Sequence, residues 1–206
     1  MDLSIITVTY NSREHIADQI RSVNMAAEGF DWEEIVIDNA SSDGTADFIA
    51  KEFSEIRLIR NEKNLGFAVP NNQGVAVAKG KYLLFLNPDM RLTEPGSLKK
   101  MVDWMETQPE VGIASCKLVF PNGELNPNTK PRRFPNFWEM MLLVLKIPHL
   151  FPRVLDRYLM KDFDPTKEQE VDSVRGAFML MRRELVGQLG WAFDPRYFIW
   201  FEDVDA

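Results

Sequence analysis

Tyr82-Leu-Leu-Phe-Leu-Asn-Pro-Asp89 is five apolar residues halted by three that favour a turn. A fully apolar run of this length reads as a strand covered on both faces, which is the habit of a central parallel strand. Upstream lie three more apolar runs: Leu3-Ser-Ile-Ile-Thr-Val-Thr9, Glu34-Ile-Val-Ile-Asp38 and Ile56-Arg-Leu-Ile-Arg60. Between them the spacing predicts helices over 14–27, 45–53 and 70–78, with Ser12 as an N-cap for the first and Gly80 as a stop after the third. Strands alternating with helices through residue 86 predict an α/β fold with a Rossmann-like, mostly parallel central sheet flanked by helices.

Right-handed crossovers put the C-terminal ends of such strands along one edge, where ligands bind. Thr9-Tyr10-Asn11, Asp38-Asn39-Ala40-Ser41 and Asn87-Pro88-Asp89 therefore converge, although they are far apart in sequence. Asp38 suits hydrogen bonding to a nucleobase or ribose, and equally a turn and helix cap. Asp89 suits a divalent cation carrying a diphosphate, or simply the start of a turn.

Downstream, a helix is expected over 95–107 and a strand over 111–120, with Pro121-Asn122-Gly123 as a turn. Residues 126–135 read as a loop. Val171 to Arg182 is strand-like, and a short helix follows. Residues 138–155 are apolar and Met-rich with Lys146, His149 and Arg153. That mixture fits contact with a membrane surface or a lipid-linked acceptor, or packing on the sheet or against a second subunit in a homo-oligomer. Near the end, Phe201-Glu202-Asp203-Val204-Asp205 gathers three carboxylates beside aromatics, either a site wall bearing a general base or an acid-rich helix start.

Composition narrows the function. In 206 residues a 45% hydrophobic fraction with 14 Phe and 5 Trp supports one folded domain. A net charge of -7 supplies no overall basic face for nucleic acid. One cysteine, Cys116, excludes an internal disulfide and suits a cytoplasmic, reducing compartment. Two histidines and that cysteine argue against a zinc site, so a metal would be held by oxygens, as Mg²⁺ or Mn²⁺. The N-terminus enters a strand at once, without the pattern of a signal peptide. No Gly-x-Gly-x-x-Gly follows the first strand, which argues against an NAD(P)-dependent oxidoreductase.

Taken in order, Ile6-Thr-Val-Thr-Tyr-Asn11, Val36-Ile-Asp-Asn-Ala-Ser-Ser-Asp-Gly-Thr45, Asn64-Leu-Gly-Phe67 with Asn71-Asn-Gln-Gly74, Leu84-Phe-Leu-Asn-Pro-Asp89, Gly176-Ala-Phe-Met179 and Phe201-Glu-Asp-Val-Asp205 resemble the family 2 glycosyltransferases of GT-A fold. The resemblance comes nearest to the rhamnosyltransferase-like enzymes of bacterial surface polysaccharide assembly. It implies an inverting transferase that moves a sugar from a dTDP- or UDP-linked donor to a saccharide or lipid-linked acceptor. Residues 1–90 would form the nucleotide-binding half of a single domain, and 91–206 the acceptor and catalytic half, truncated at its C-terminus. Thr9, Tyr10, Asn11, Asp38, Asn64, Gly66 and Asn72 would serve the donor, with Gly176 and Ala177 shaping the sugar pocket. Asp203 would be the base, with Glu202 beside it, and Asp89 the metal ligand. Asn87 stands where the family's motif begins with Asp, which takes a charge from the metal site. The alternative is a catalytically weak nucleotide-sugar-binding module of the same fold.

Overall fold

The computed structural model describes residues 1–126, 129–145, 147 and 150–198; within these the Leu143 side chain is not described. Two compact units emerge: Met1–Ala114 with Gly176–Ala206, and Ser115–Arg175.

The first unit holds a six-stranded sheet in the order β3-β2-β1-β4-β6-β5. β1 (Leu3–Thr9), β2 (Trp32–Asp38), β3 (Arg57–Arg60) and β4 (Tyr82–Leu86) run parallel. β6 (Phe178–Arg182) returns antiparallel to β4, and β5 (Ile113–Ala114) antiparallel to β6. All five residues of β4 are buried, as its unbroken apolar run requires. The mostly parallel sheet expected from the sequence is therefore present.

Between the strands lie α1 (Ile16–Ala26), α2 (Thr45–Glu52) and α3 (Ala68–Val77), with α4 (Ser97–Thr107) after β4 and α7 (Arg183–Leu189) after β6. Ile16, Ile20 and Val23 form the buried stripe of α1. Ile16 and Ile20 pack with Val36, Ile49 and Phe53, which welds α1 and α2 to one face of the sheet. At about 1.5–3 kcal/mol for each fully buried aliphatic side chain, such a cluster holds the layers firmly.

Four expectations need correction. The Ser12 hydroxyl turns back to the Tyr10 carbonyl (3.3 Å) and caps nothing; it is the Ser12 carbonyl that accepts the first amides of α1. Gly80 does not stop α3, whose C-cap is Ala78. Gly80 is small because a β-carbon there would lie 2.3 Å from the Ser4 nitrogen. The strand expected over 111–120 is only Ile113–Ala114. Beyond it a bridge joins Val119 to Leu125 around a turn at Gly123 (φ +82°), and the chain belongs to the second unit. Likewise only Phe178–Arg182 of the 171–182 run is strand.

The second unit carries α5 (Phe137–Val144) and α6 (Pro152–Tyr158). Glu139 of α5 pairs with Arg157 of α6, and the Arg133 amide donates to the Tyr158 carbonyl (3.2 Å).

Candidate functional site

Chain direction alone brings Thr9, Asp38, Arg60 and Leu86, the last residues of β1 to β4, to one edge of the sheet. The ladder extends past the strands there. The Asn39 amide donates to the Thr9 carbonyl and the Asn61 amide to the Asp38 carbonyl, both at 2.8 Å. The Asp38 side chain is buried in this edge. Its Oδ2 accepts the Ser41 amide (3.0 Å), while Oδ1 is enclosed and has no partner among the described residues. Thr9, its register neighbour, is fully buried, and its Oγ1 also lacks a partner. An enclosed polar atom without a hydrogen bond costs about 1–3 kcal/mol, which a ligand donor would recover.

Beside Asp38 opens a cleft of about 340 Å³, lined among others by Ser41, Ser42, Asp47, Arg60 and Asn61. That volume suits part of a small ligand. The loops around it are laced together. Asn11 takes a left-handed backbone (φ 52°), donates its amide to Ser41 Oγ (2.9 Å) and accepts the Ser42 amide on its side chain (2.8 Å). Desolvation alone would raise the Asp43 carboxyl, but the Thr45 hydroxyl (2.5 Å) and the amides of Arg13 and Thr45 (3.0 Å each) donate to it and hold it below the usual range. Tyr10, directly after β1, stands 51% exposed.

Asn39 organises the next loop. Its side-chain amide donates to Asn64 Oδ1 and the Gly66 carbonyl (2.8 Å each), and its oxygen accepts from Asn61 Nδ2 (3.2 Å) and the Leu65 amide (3.0 Å). Asn64 is thereby spent in shaping the loop. Gly66 takes φ +81°, and the Phe67 amide donates to the Phe198 carbonyl at 2.7 Å. Asn72 bonds the backbone of Ala192 and Phe193 through both ends of its amide. The Phe193 ring meets Phe67 and Phe85 edge to face.

At the end of β4, Asn87 is half-buried and its amide donates to the Ala177 carbonyl (3.1 Å), which brings these two residues together. Asp89 is exposed rather than enclosed. No group of three or more metal-binding side chains occurs among the described residues. A lone exposed carboxylate beside an amide still fits a hard cation that takes most of its oxygens from a diphosphate and water. Glu202 and Asp203 lie outside the described residues.

Sequence reasoning passed over two residues here. Asn39 is an amide directly after a strand-ending acid, and only its distant partners reveal its role. Asp194 is 2% exposed, and Arg196 grips it through Nε (2.8 Å), holding its carboxyl below the ordinary value. The Phe193-Asp-Pro-Arg196 turn was the available signal.

Comparison with known proteins places the chain. The profile described as "Glycosyl transferase family 2" matches residues 4–190. An N-acetylglucosaminyl-diphospho-decaprenol L-rhamnosyltransferase of Mycobacterium tuberculosis is 27% identical over 98% of this chain and 68% of its own length. Among solved structures, S. aureus TarS 1–349 in complex with UDP superposes with a TM-score of 0.64 at 20% identity, covering 99% of this chain and 53% of that one. The mannosyltransferase PcManGT of Pyrobaculum calidifontis, in complex with GDP-Man and Mn²⁺, gives 0.66 at 22% identity, over 98% of this chain and 49% of that one. The chain thus spans about half the length of the solved structures it matches. By that profile match and that sheet, this chain belongs to glycosyl transferase family 2.

Proposed function

We propose that this chain is the donor-binding and catalytic part of an inverting, metal-dependent glycosyltransferase of surface polysaccharide synthesis. It acts in the cytoplasm, at the inner face of the membrane. The donor is a dTDP- or UDP-sugar, with rhamnose the favoured sugar, and the acceptor is a hydroxyl of a saccharide or a lipid-linked saccharide. One observation carries this reading: Asp38, which lines the open cleft at the strand ends, has an enclosed Oδ1 without a partner among the described residues, and the Oγ1 of its register neighbour Thr9 likewise lacks one. The imide N–H of a pyrimidine is a donor of the kind Asp38 Oδ1 lacks.

In this reading residues 1–90 form the nucleotide half. Tyr10 covers the base, and Thr9, Asp38 and the loop shaped by Asn11, Asn64, Gly66 and Asn72 define its pocket. Asn87, held against Ala177, meets the ribose or diphosphate, and Gly176 and Ala177 border the sugar. Asp89 would hold Mg²⁺ or Mn²⁺, whose charge offsets that developing on the leaving diphosphate. Asp203 takes the proton of the acceptor hydroxyl, with Glu202 beside it, and the oxygen attacks the anomeric carbon opposite the leaving group. A single displacement inverts that centre.

Titration calorimetry with dTDP and UDP tests the donor site. Asp38→Asn is expected to weaken binding about tenfold or more, from loss of a charge-assisted bond. Equal affinity in the variant would remove Asp38 from the site. The absent first acid at Asn87 and the exposure of Asp89 favour, as a second reading, a binding module with weak turnover. Turnover by wild type that Asp203→Ala abolishes while nucleotide still binds excludes that module; binding without any turnover selects it.

A further inference from the structure

α5 is built inside out. Its one acid, Glu139, points inward, 12% exposed, and pairs with Arg157. Leu142 on the same side is half-buried. The opposite stripe, Phe137, Met141 and Val144 at helical spacing, faces outward at 71, 39 and 71% exposure, with Trp138 (72%) on its flank. Leu145, Leu150 and Phe151 beyond the helix are exposed as well. Soluble helices turn the other way, and a contiguous apolar surface of this kind marks an interaction site.

Charge indicates the partner. The whole chain is acidic, yet from Lys130 to Asp162 there are seven Lys or Arg against three acids, Glu139, Asp156 and Asp162. The three acids are held in ion pairs by Arg157, Lys161 and Arg133, which leaves Lys130, Arg132, Lys146 and Arg153 as the excess. Arg153 is exposed next to Phe151 and Pro152. Arg132 is half-buried, and burial together with the charge of Arg175 holds its pKa below the usual value. An incoming phosphate would relieve that like-charge proximity. No helix among the described residues is long and apolar enough to cross a membrane, so contact through this face would lie in the interface plane.

We propose that the outward face of α5, with Lys130, Arg132 and Arg153 of the same unit, docks the chain on a bilayer containing anionic phospholipid. Trp138 and Phe137 enter the headgroup boundary, and the Arg and Lys side chains meet the phosphates. A second copy of the chain would satisfy the apolar stripe but would face the same excess of positive charge. The inference deepens the reading above, since it gives a lipid-borne acceptor a surface to approach, but its test does not require turnover.

The full chain is sedimented with phosphatidylcholine vesicles, with and without phosphatidylglycerol, at low and high salt. Binding is expected only with phosphatidylglycerol, reduced by salt, and weakened about tenfold or more by Phe137→Ser/Trp138→Ser/Val144→Ser. Because those side chains point away from the interior, the variant should melt as wild type does and bind nucleotide unchanged. If it unfolds, Lys130→Glu/Arg153→Glu tests the charge arm and should also weaken binding about tenfold. Equal sedimentation of wild type and variants overturns the proposal, as does binding indifferent to phosphatidylglycerol. So does a dimer that the Ser variant converts to monomer without any vesicle binding by wild type. Failure of nucleotide binding by wild type would strike the transferase reading and leave the vesicle result standing.

Discussion

At the scale of single residues, the sheet keeps the Glu34 carboxyl out of water with no salt bridge among the described residues. Glu34 of β2 is 4% exposed; its Oε1 accepts from Gln19 Nε2 (3.0 Å), which also reaches Thr7 Oγ1, and its Oε2 has no partner among the described residues. Burial pushes the carboxyl from 4.5 up to about 7, the Gln19 bond opposing this and Glu55 adding to it. Between those values the folded protein keeps a proton that the unfolded chain releases. Stability therefore falls as pH rises from about 4.5 to about 7, and above that the full penalty stands, on the order of 3 kcal/mol. Urea unfolding of wild type should show its midpoint dropping between pH 5 and pH 8. Glu34→Gln, which stays neutral, should lose most of that drop; an identical drop would place the ionisation elsewhere.

At the scale of elements, the loop between β3 and α3 depends on one backbone position. Gly66 has φ +81°, and a β-carbon there would come within 2.0 Å of the Phe198 carbonyl oxygen. Gly29 has nearly the same strain, φ +90°, with nothing within 4 Å. Gly29→Ala should cost about 1–2 kcal/mol from backbone conformation alone. Gly66→Ala should cost more, roughly 3–4 kcal/mol, because backbone must move and the Phe67–Phe198 bond breaks. Paired denaturant melts give the difference; equal losses would mean that the contact with Phe198 yields freely. Such contacts were hidden in the sequence, whereas the strand ends were legible. Thr9, Asp38 and Asn87 converge because parallel strands leave no other choice of edge. Asn39 cannot be read that way, since its partners lie 22 to 27 residues on and are fixed by tertiary approach. The run over 111–120 misled for a similar reason: strand-like composition reports which residues could pair, while β6 supplies partners only for Ile113 and Ala114.

At the scale of the molecule, one chain carries two units, and the second is an insertion between adjacent strands. Ala114 ends β5 opposite Leu180 of β6, and Gly176 lies four residues before Leu180. Extended chain covers about 13 Å in that distance, a gap that a flexible linker of about six residues can close. The unit left behind retains the entire sheet, the laced loops and every residue lining the cleft beside Asp38. Replacing Ser115–Arg175 by a Gly/Ser linker should therefore leave a protein that folds cooperatively and binds nucleoside diphosphate within about threefold of the full chain, a change of well under 1 kcal/mol. The same protein should lose its affinity for anionic vesicles, since α5 and the basic residues of 130–161 are gone. Circular dichroism melts, nucleotide calorimetry and vesicle sedimentation on one preparation read all three. A linker-joined chain that does not fold would show that the sheet needs the second unit to stand, and one that folds and still binds vesicles would move the membrane contact into the sheet unit.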